Sequence, residues 1–410
     1  MVALGALANA IGGGIYGYGF AVFFLPISRD LDLTRAEASF VFSLSQAQAA
    51  IGGPPAGWLV DRFGPRVVMT VATAITGIGY LLLSQADSYA MFIVVYLFLV
   101  SLAFNGGYGF SITSSVNSWF IRKRSLAFAI TLAAFNVGGA VIAPVLALLV
   151  QSIGWRGAVA CSGLVLLAVM LPASQGFVRS PEVMGMRPDG DSDVVARAAE
   201  ALRPEPVFTV KQAMRTKSFW SLTFATSLRL AVINVVSLHF VPMMVWKGVS
   251  EPDAAFMLGA MAALGFPLRI FFGWLGDKLS KTAIISWGVF AGAAALVGLQ
   301  FADQTWQLWL FVVVFAFMQA IIPLNWVLIG DYFGRRSYAT LRGFMSIFYT
   351  IGTMGMPVFA GWVFDHTQSY TIVVWVTTGL FLASSLWFSG LKPPAHPNAP
   401  APVPAAAPVG

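Results

Sequence analysis

Twelve stretches of mostly apolar residues, each close to the ~20 needed to cross a hydrocarbon core, divide this chain almost from end to end. They run at roughly 3–26, 37–60, 67–86, 90–118, 126–150, 155–178, 216–246, 254–276, 282–302, 305–332, 341–364 and 370–391. With 58% hydrophobic residues, 10% charged residues and a mean hydropathy of +0.78, the chain has too little polar surface for a water-soluble domain. Continuous apolar runs must satisfy their backbone hydrogen bonds internally, and they lack the short alternation of barrel strands, so they predict helices. The fold class expected is an all-α membrane protein of twelve transmembrane helices.

The chain is also written twice. Gly57-Trp58-Leu59-Val60-Asp61-Arg62-Phe63-Gly64, between the second and third runs, returns 216 positions later as Gly273-Trp274-Leu275-Gly276-Asp277-Lys278-Leu279-Ser280. A second pair of loops repeats at an offset of 213: Trp119-Phe120-Ile121-Arg122-Lys123-Arg124-Ser125 and Tyr332-Phe333-Gly334-Arg335-Arg336-Ser337. The duplication predicts two pseudo-symmetric six-helix bundles, residues 1–178 and 216–391, a parallel repeat that places a site between its halves. The segment 179–215 between them carries Pro181, Pro188, Pro204 and Pro206 and reads as a polar linker, with room for a short helix near 194–202. Residues 392–410 are Pro- and Ala-rich, cannot bury a core, and are expected to be disordered.

The net charge of +7 follows the membrane rather than a nucleic acid partner. If the linker, the loops after spans 2, 4, 8 and 10 and the tail face the cytoplasm, 18 of the 24 Lys and Arg lie there, Arg342 counted among them. Only Arg29, Arg35, Arg156 and Lys247 fall outside, and Arg229 and Arg269 fall within spans. Both termini are therefore expected in the cytoplasm. The first run has no basic n-region or cleavage site and reads as a retained helix. Cys161, the single cysteine, excludes an intrachain disulfide.

The duplicated loops have a mechanical rationale. Gly57 permits close helix approach, and Asp61 can accept hydrogen bonds from the free N-terminal amides of a neighbouring helix. Breaking that contact would release one face. Gly57, Asp61, Arg62, Gly64, Gly273, Asp277, Lys278, Arg122 and Arg335 are the expected gating residues. These loops resemble those of the major facilitator superfamily, whose fold would cover about residues 1–391. Gly14-Ile15-Tyr16-Gly17-Tyr18-Gly19-Phe20-Ala21-Val22-Phe23-Phe24-Leu25-Pro26, then Leu33-Thr34-Arg35-Ala36, is similar to the bacterial monocarboxylate transporter branch and its oxalate/formate antiporter relatives. His239-Phe240-Val241-Pro242 and an Arg in span 8 are similar to that branch too. Two departures stand out. The oxalate/formate antiporters carry a span 11 Lys where this chain has Tyr349. The animal carriers carry an Asp in span 8 and a Lys in span 1 where it has Gly265 and Tyr18, so their proton relay does not transfer.

An Arg at mid-membrane costs about 2.5–3.5 kcal/mol on insertion scales and normally faces a cavity with a partner. None of the twelve spans carries an acid near its middle, so Arg269 predicts an anionic substrate, held by a two-pronged guanidinium–carboxylate pair. The alternative is that Arg269 snorkels or binds backbone carbonyls. Arg229 is open between a structural and a functional role. Asn105 and Tyr108 belong to a polar stripe in span 4, Tyr349 to one in span 11, and Asn325 and Tyr16 join the expected substrate-binding set. Such stripes suit either a cavity or interhelical hydrogen bonds. His239, the one histidine within a span, is a candidate substrate ligand and proton carrier, or else a packing residue beside Pro242.

The expectation is a secondary transporter of a small monocarboxylate such as lactate or pyruvate, proton-coupled, working by rocker-switch alternating access in a bacterial inner membrane. Its partners would be a small carboxylate anion, a proton or counter-anion, and the bilayer, with no nucleic acid. Carboxylate exchange of the oxalate/formate type, or a non-transporting carboxylate sensor, are the alternatives. No acid–base–nucleophile set or metal-ligand cluster points to an enzyme, and no cofactor is expected.

Overall fold

A computed structural model of the chain describes residues 1–32, 35–190 and 208–395. The segment near 194–202 and nearly all of the tail lie outside the described residues. Twelve helices follow the twelve apolar runs. In the first half, α1 covers residues 2–30, α2 Arg35–Phe63, α3 Pro65–Leu83 and α4 Tyr89–Trp119. The unbroken apolar segment Arg124–Ser174 is two helices, α5 and α6, which meet at Gly154. Its φ of 75° is a left-handed conformation open to glycine. In the second half, α7 covers residues 217–246, α8 Glu251–Lys278, α9 Lys281–Gln300, α10 Thr305–Phe333, α11 Tyr338–Thr367 and α12 Thr371–Ser389. By length and apolarity alone, nine segments among the described residues qualify as membrane spans, the α5–α6 pair being one of them.

Several helices depart from regular geometry. Gly13–Tyr18 in α1, Val95–Ser101 in α4 and Leu166–Met170 in α6 are π-helical turns. The helices related to α1 and α4 by the duplication are broken instead, α7 at His239 and α10 at Ile321 before Pro323. Irregular backbone at membrane depth is tolerated only where protein or a cavity covers it. Large apolar side chains such as Phe256, Trp287 and Leu386 point outward and exposed, as lipid-facing positions should.

The halves are joined at one end of the bundle, the face that carries the duplicated loops and is here called the motif face. Asp61, in the last turn of α2, accepts hydrogen bonds from the amides of Ala339 (3.3 Å) and Thr340 (2.9 Å) and from the Thr340 hydroxyl (2.6 Å). These are free amides of the first turn of α11, in the other half. The second copy repeats the contact in reverse: Asp277, ending α8, accepts from the amides of Ser125 (2.8 Å) and Leu126 (3.1 Å) at the start of α5. The glycine one turn earlier makes each approach fit. A Cβ on Gly57 would collide with the Ala339 carbonyl, and one on Gly273 would press against Ala129 and the Ser125 carbonyl. The burial is shared too, since Ala56, Val60, Phe110 and Phe128 of the first half belong to the apolar core of the second.

The cross-half hydrogen bonds of Asp61 and Asp277 lie at this face. Asp61→Ala should therefore weaken this arrangement alone. Losing bonds to a charged acceptor costs about 2 kcal/mol, a roughly thirtyfold population shift. Double electron–electron resonance between labels at Val67 and Arg336, in a Cys161→Ser background, should show longer distances in the Ala variant. An unchanged distribution would mean that this carboxylate does not hold the seam.

Candidate functional site

Arg269 lies in α8, nine residues before Lys278, or about 13 Å of helical rise from the motif end. It is partly buried, and among the described residues no hydrogen bond or ion pair reaches its guanidinium; its Nε is buried without a partner. Its electrostatic neighbour is Tyr18 of α1, in the opposite half. Tyr18 closes the π-helical turn Gly13–Tyr18, and its ring lies 5.5 Å from Phe135 of α5. Gly139 leaves the space, because a Cβ there would run into the Tyr18 ring. Tyr18 is 36% exposed. A cation without an acidic partner among the described residues thus stands beside a phenol of the opposite half. A small anion is the partner such a place suits.

The other expected site residues fall into separate groups. Tyr16 donates to Ser101 (3.1 Å), Asn105 donates to the Tyr16 oxygen (2.9 Å) and to Ser101 (3.1 Å), and Tyr16 stacks on Phe104 at 4.2 Å. Tyr108, 2% exposed, pairs its hydroxyl with Thr73 of α3 at 2.9 Å inside the first bundle. Asn325 is 1% exposed; it accepts from Arg229 (3.0 Å) and donates to Thr226 (2.5 Å). Arg229, fully buried, also donates to the Met318 carbonyl (3.3 Å), beside the break in α10. That geometry gives Arg229 a structural task, holding α7 to the interrupted helix. His239 sits between Tyr370 (Nδ1 to hydroxyl, 3.0 Å) and the Pro357 carbonyl (Nε2, 3.1 Å). A carbonyl only accepts, so Nε2 donates to Pro357, while Nδ1 shares a hydrogen bond with the Tyr370 hydroxyl, and both ring nitrogens are engaged. Tyr349 packs on Trp326 at 5.8 Å and neighbours Arg342 rather than Arg269.

The residues of the expected gating set lie at the motif face. Gly64 turns the chain from α2 to α3 with φ 87°. Arg335 donates to the Ser118 carbonyl (3.0 Å) and to Glu182 (2.8 Å), across the seam and into the linker. Burial alone would push the Glu182 carboxyl up, but hydrogen bonds from Ser180 and Arg335, with the Arg335 charge, outweigh it and hold it below the usual range. The Arg122 amide donates to Asp189 (2.8 Å), Lys278 lies over the Trp274 ring at 4.0 Å, and Arg62 is exposed. Three residues absent from the expected set matter here. Arg124, 2% exposed, pairs with Asp331 at 2.8 Å, and Asp331 also pairs with Lys281 at 2.9 Å. Arg124 ends the basic run Arg122-Lys123-Arg124, which does not reveal which of the three turns inward. The third is Arg342. The sequence reading sets it among the loop cations, but α11 begins at Tyr338, whose buried ring with Ala339 and Leu341 starts the helix earlier and carries Arg342 into its second turn.

The Major Facilitator Superfamily family model matches the chain over residues 2–322 and 247–409. Monocarboxylate transporter 12 of Xenopus laevis is 24% identical over 375 residues, covering 86% of this chain and 79% of the frog protein. The uncharacterized MFS-type transporter YcxA of Bacillus subtilis is 24% identical over 390 residues, covering 89% of this chain and 88% of that one. Among solved structures, the transporter FucP of E. coli in its outward conformation superposes with a TM-score of 0.72 at 14% identity, over 95% of this chain and 98% of its own. That likeness is one of fold. With the family match spanning nearly its whole length and twelve helices in two halves, the chain belongs to the major facilitator superfamily, and its relatives are transporters rather than enzymes.

Proposed function

We propose that this chain is a secondary active transporter of a small monocarboxylate of the lactate or pyruvate kind, working by rocker-switch alternating access. The observation that carries the reading is Arg269, a guanidinium without an acidic partner among the described residues, beside Tyr18 of the opposite half. A carboxylate supplies what it lacks, two acceptors in the plane of the fork and one compensating charge. The names of the relatives, monocarboxylate transporters 12 and 11 among them, support that substrate class. The excess of basic residues on the motif face supports a cytoplasmic location for it and for both termini, and the bacterial relative supports an inner-membrane site. The arrangement described here, fastened at the motif face, is then the one that accepts substrate from outside.

Proton symport is the first reading of the coupling, and the proton travels with the carboxylate or with cavity water, because His239 is committed to Tyr370 and Pro357. Anion exchange is the second, and one observation favours it. As access alternates, an empty Arg269 would be closed off from water as an uncompensated cation, whereas a loaded one is neutralised, so return without an anion is costly. The two readings separate in proteoliposomes, where a pH gradient drives accumulation in the first and an internal counter-anion in the second.

Arg269→Gln should abolish carboxylate binding in a protein that still inserts, and Arg269→Lys should also bind poorly, since a point charge lacks the planar fork. Isothermal titration with lactate reads this directly; normal affinity in the Gln variant would remove Arg269 from the site. His239→Gln should keep whatever pH-driven accumulation the wild type shows, within about twofold, because no titration of His239 is required. Loss of that accumulation with counterflow intact would return the proton to His239.

A further inference from the structure

The second turn of α11 holds another guanidinium, which the site around Arg269 does not use. Arg342 reaches across the seam to α4: its Nη1 donates to the Gly109 carbonyl (2.8 Å) and to the Thr113 hydroxyl (2.6 Å). It lies between two aromatic rings, one from each half, 5.0 Å from the centroid of Phe110 and 4.9 Å from that of Trp326. No carboxylate pairs with it among the described residues, and its Nε is buried without a partner. Tyr349, packed on Trp326, is its neighbour on its own half.

These contacts are conditional. Arg342 lies two residues beyond Thr340, whose amide and hydroxyl are held by Asp61. A movement that lifts the start of α11 from α2 therefore also draws Arg342 away from α4. The guanidinium would then lose both neutral acceptors and the Phe110 ring together, keeping Trp326, Tyr338 and Tyr349, none of them an acid. At membrane depth a bare guanidinium needs a new acceptor, and a carboxylate offers two in matching geometry. The backbone of Arg342 stands about 6 Å of helical rise from the start of α11, against about 13 Å for Arg269 from the end of α8, so it is rooted nearer the motif face, and its guanidinium reaches inward to Gly109.

We infer that Arg342 is a second carboxylate station, occupied by protein acceptors while the seam is closed and by substrate once it parts, receiving the anion that leaves Arg269 toward the motif face. The inference rests on the monocarboxylate reading and adds to it a state-dependent site. The experiment uses the full chain in proteoliposomes of known sidedness with labelled lactate as probe. Half-saturation is measured separately from each face in wild type, Arg342→Gln, Arg342→Lys and Thr113→Val, and the seam is read from labels at Val67 and Arg336. Arg342→Gln should raise half-saturation from the motif face about tenfold or more, with far-face values within about twofold. Arg342→Lys, which keeps the charge and loses the fork, should raise it about threefold or more. Thr113→Val, which removes an acceptor and keeps the cation, should lengthen the seam distance without raising motif-face half-saturation. Equal losses from both faces, or a change in seam distance alone in Arg342→Gln and Arg342→Lys, would overturn the station and leave Arg342 a latch. Failure of the wild type to take up lactate would instead sink the monocarboxylate reading itself.

Discussion

The closed seam depends on one contact made twice: a carboxylate at the end of one helix caps the first-turn amides of a helix in the opposite half. Asp61 does this for α11 and Asp277 for α5. An amide at a helix start has no intrahelical acceptor and carries the positive end of the helix dipole, so a carboxylate satisfies it on both counts. The contact is short-range and orientation-dependent, so rocking of the halves would break it. Such an interaction stabilises one arrangement without obstructing another, provided the glycines at 57 and 273 keep the backbones close enough for it to form. Arg124 with Asp331, and Arg335 with Ser118 and Glu182, spread the same closure across both duplicated loop pairs.

Between the halves the chemistry is cationic. Arg269 and Arg342 each lack an acidic partner among the described residues, whereas the third buried guanidinium in the second half, Arg229, is tied to Asn325 and the Met318 carbonyl. Three arginines thus hold three different positions: one tied within its own half, one beside Tyr18 of the other half, and one bonded across the seam. The distinction lies in what each guanidinium touches, since all three occupy apolar helices.

Sequence pattern carried a large part of this. The twelve helices follow from run length, and the Asp61 and Asp277 caps follow from a local Gly-x-x-x-Asp spacing whose partners are any free helix start. Arg269 was legible as a cation with no acid at its depth. Other positions were not. A polar stripe says which residues share a face but not what that face meets, so Tyr108 and Asn325 carry the same signature whether they face a cavity or, as here, Thr73 and Arg229. His239 beside a proline reads alike as ligand or as bridge. Tyr18 owes its direction to a π-helical turn, which has no marker in a glycine-rich run, and Arg342 hinged on a helix start three residues earlier than hydropathy suggested.

The account stands or falls on a carboxylate being what Arg269 holds. The most direct measurement is calorimetric binding of lactate and of its neutral amide, lactamide, to the purified wild-type protein. The two have nearly the same shape and differ in charge and in the second acceptor oxygen. The account predicts that lactate binds and that lactamide binds at least about tenfold more weakly. Equal affinity for the two, or preference for the amide, would contradict it.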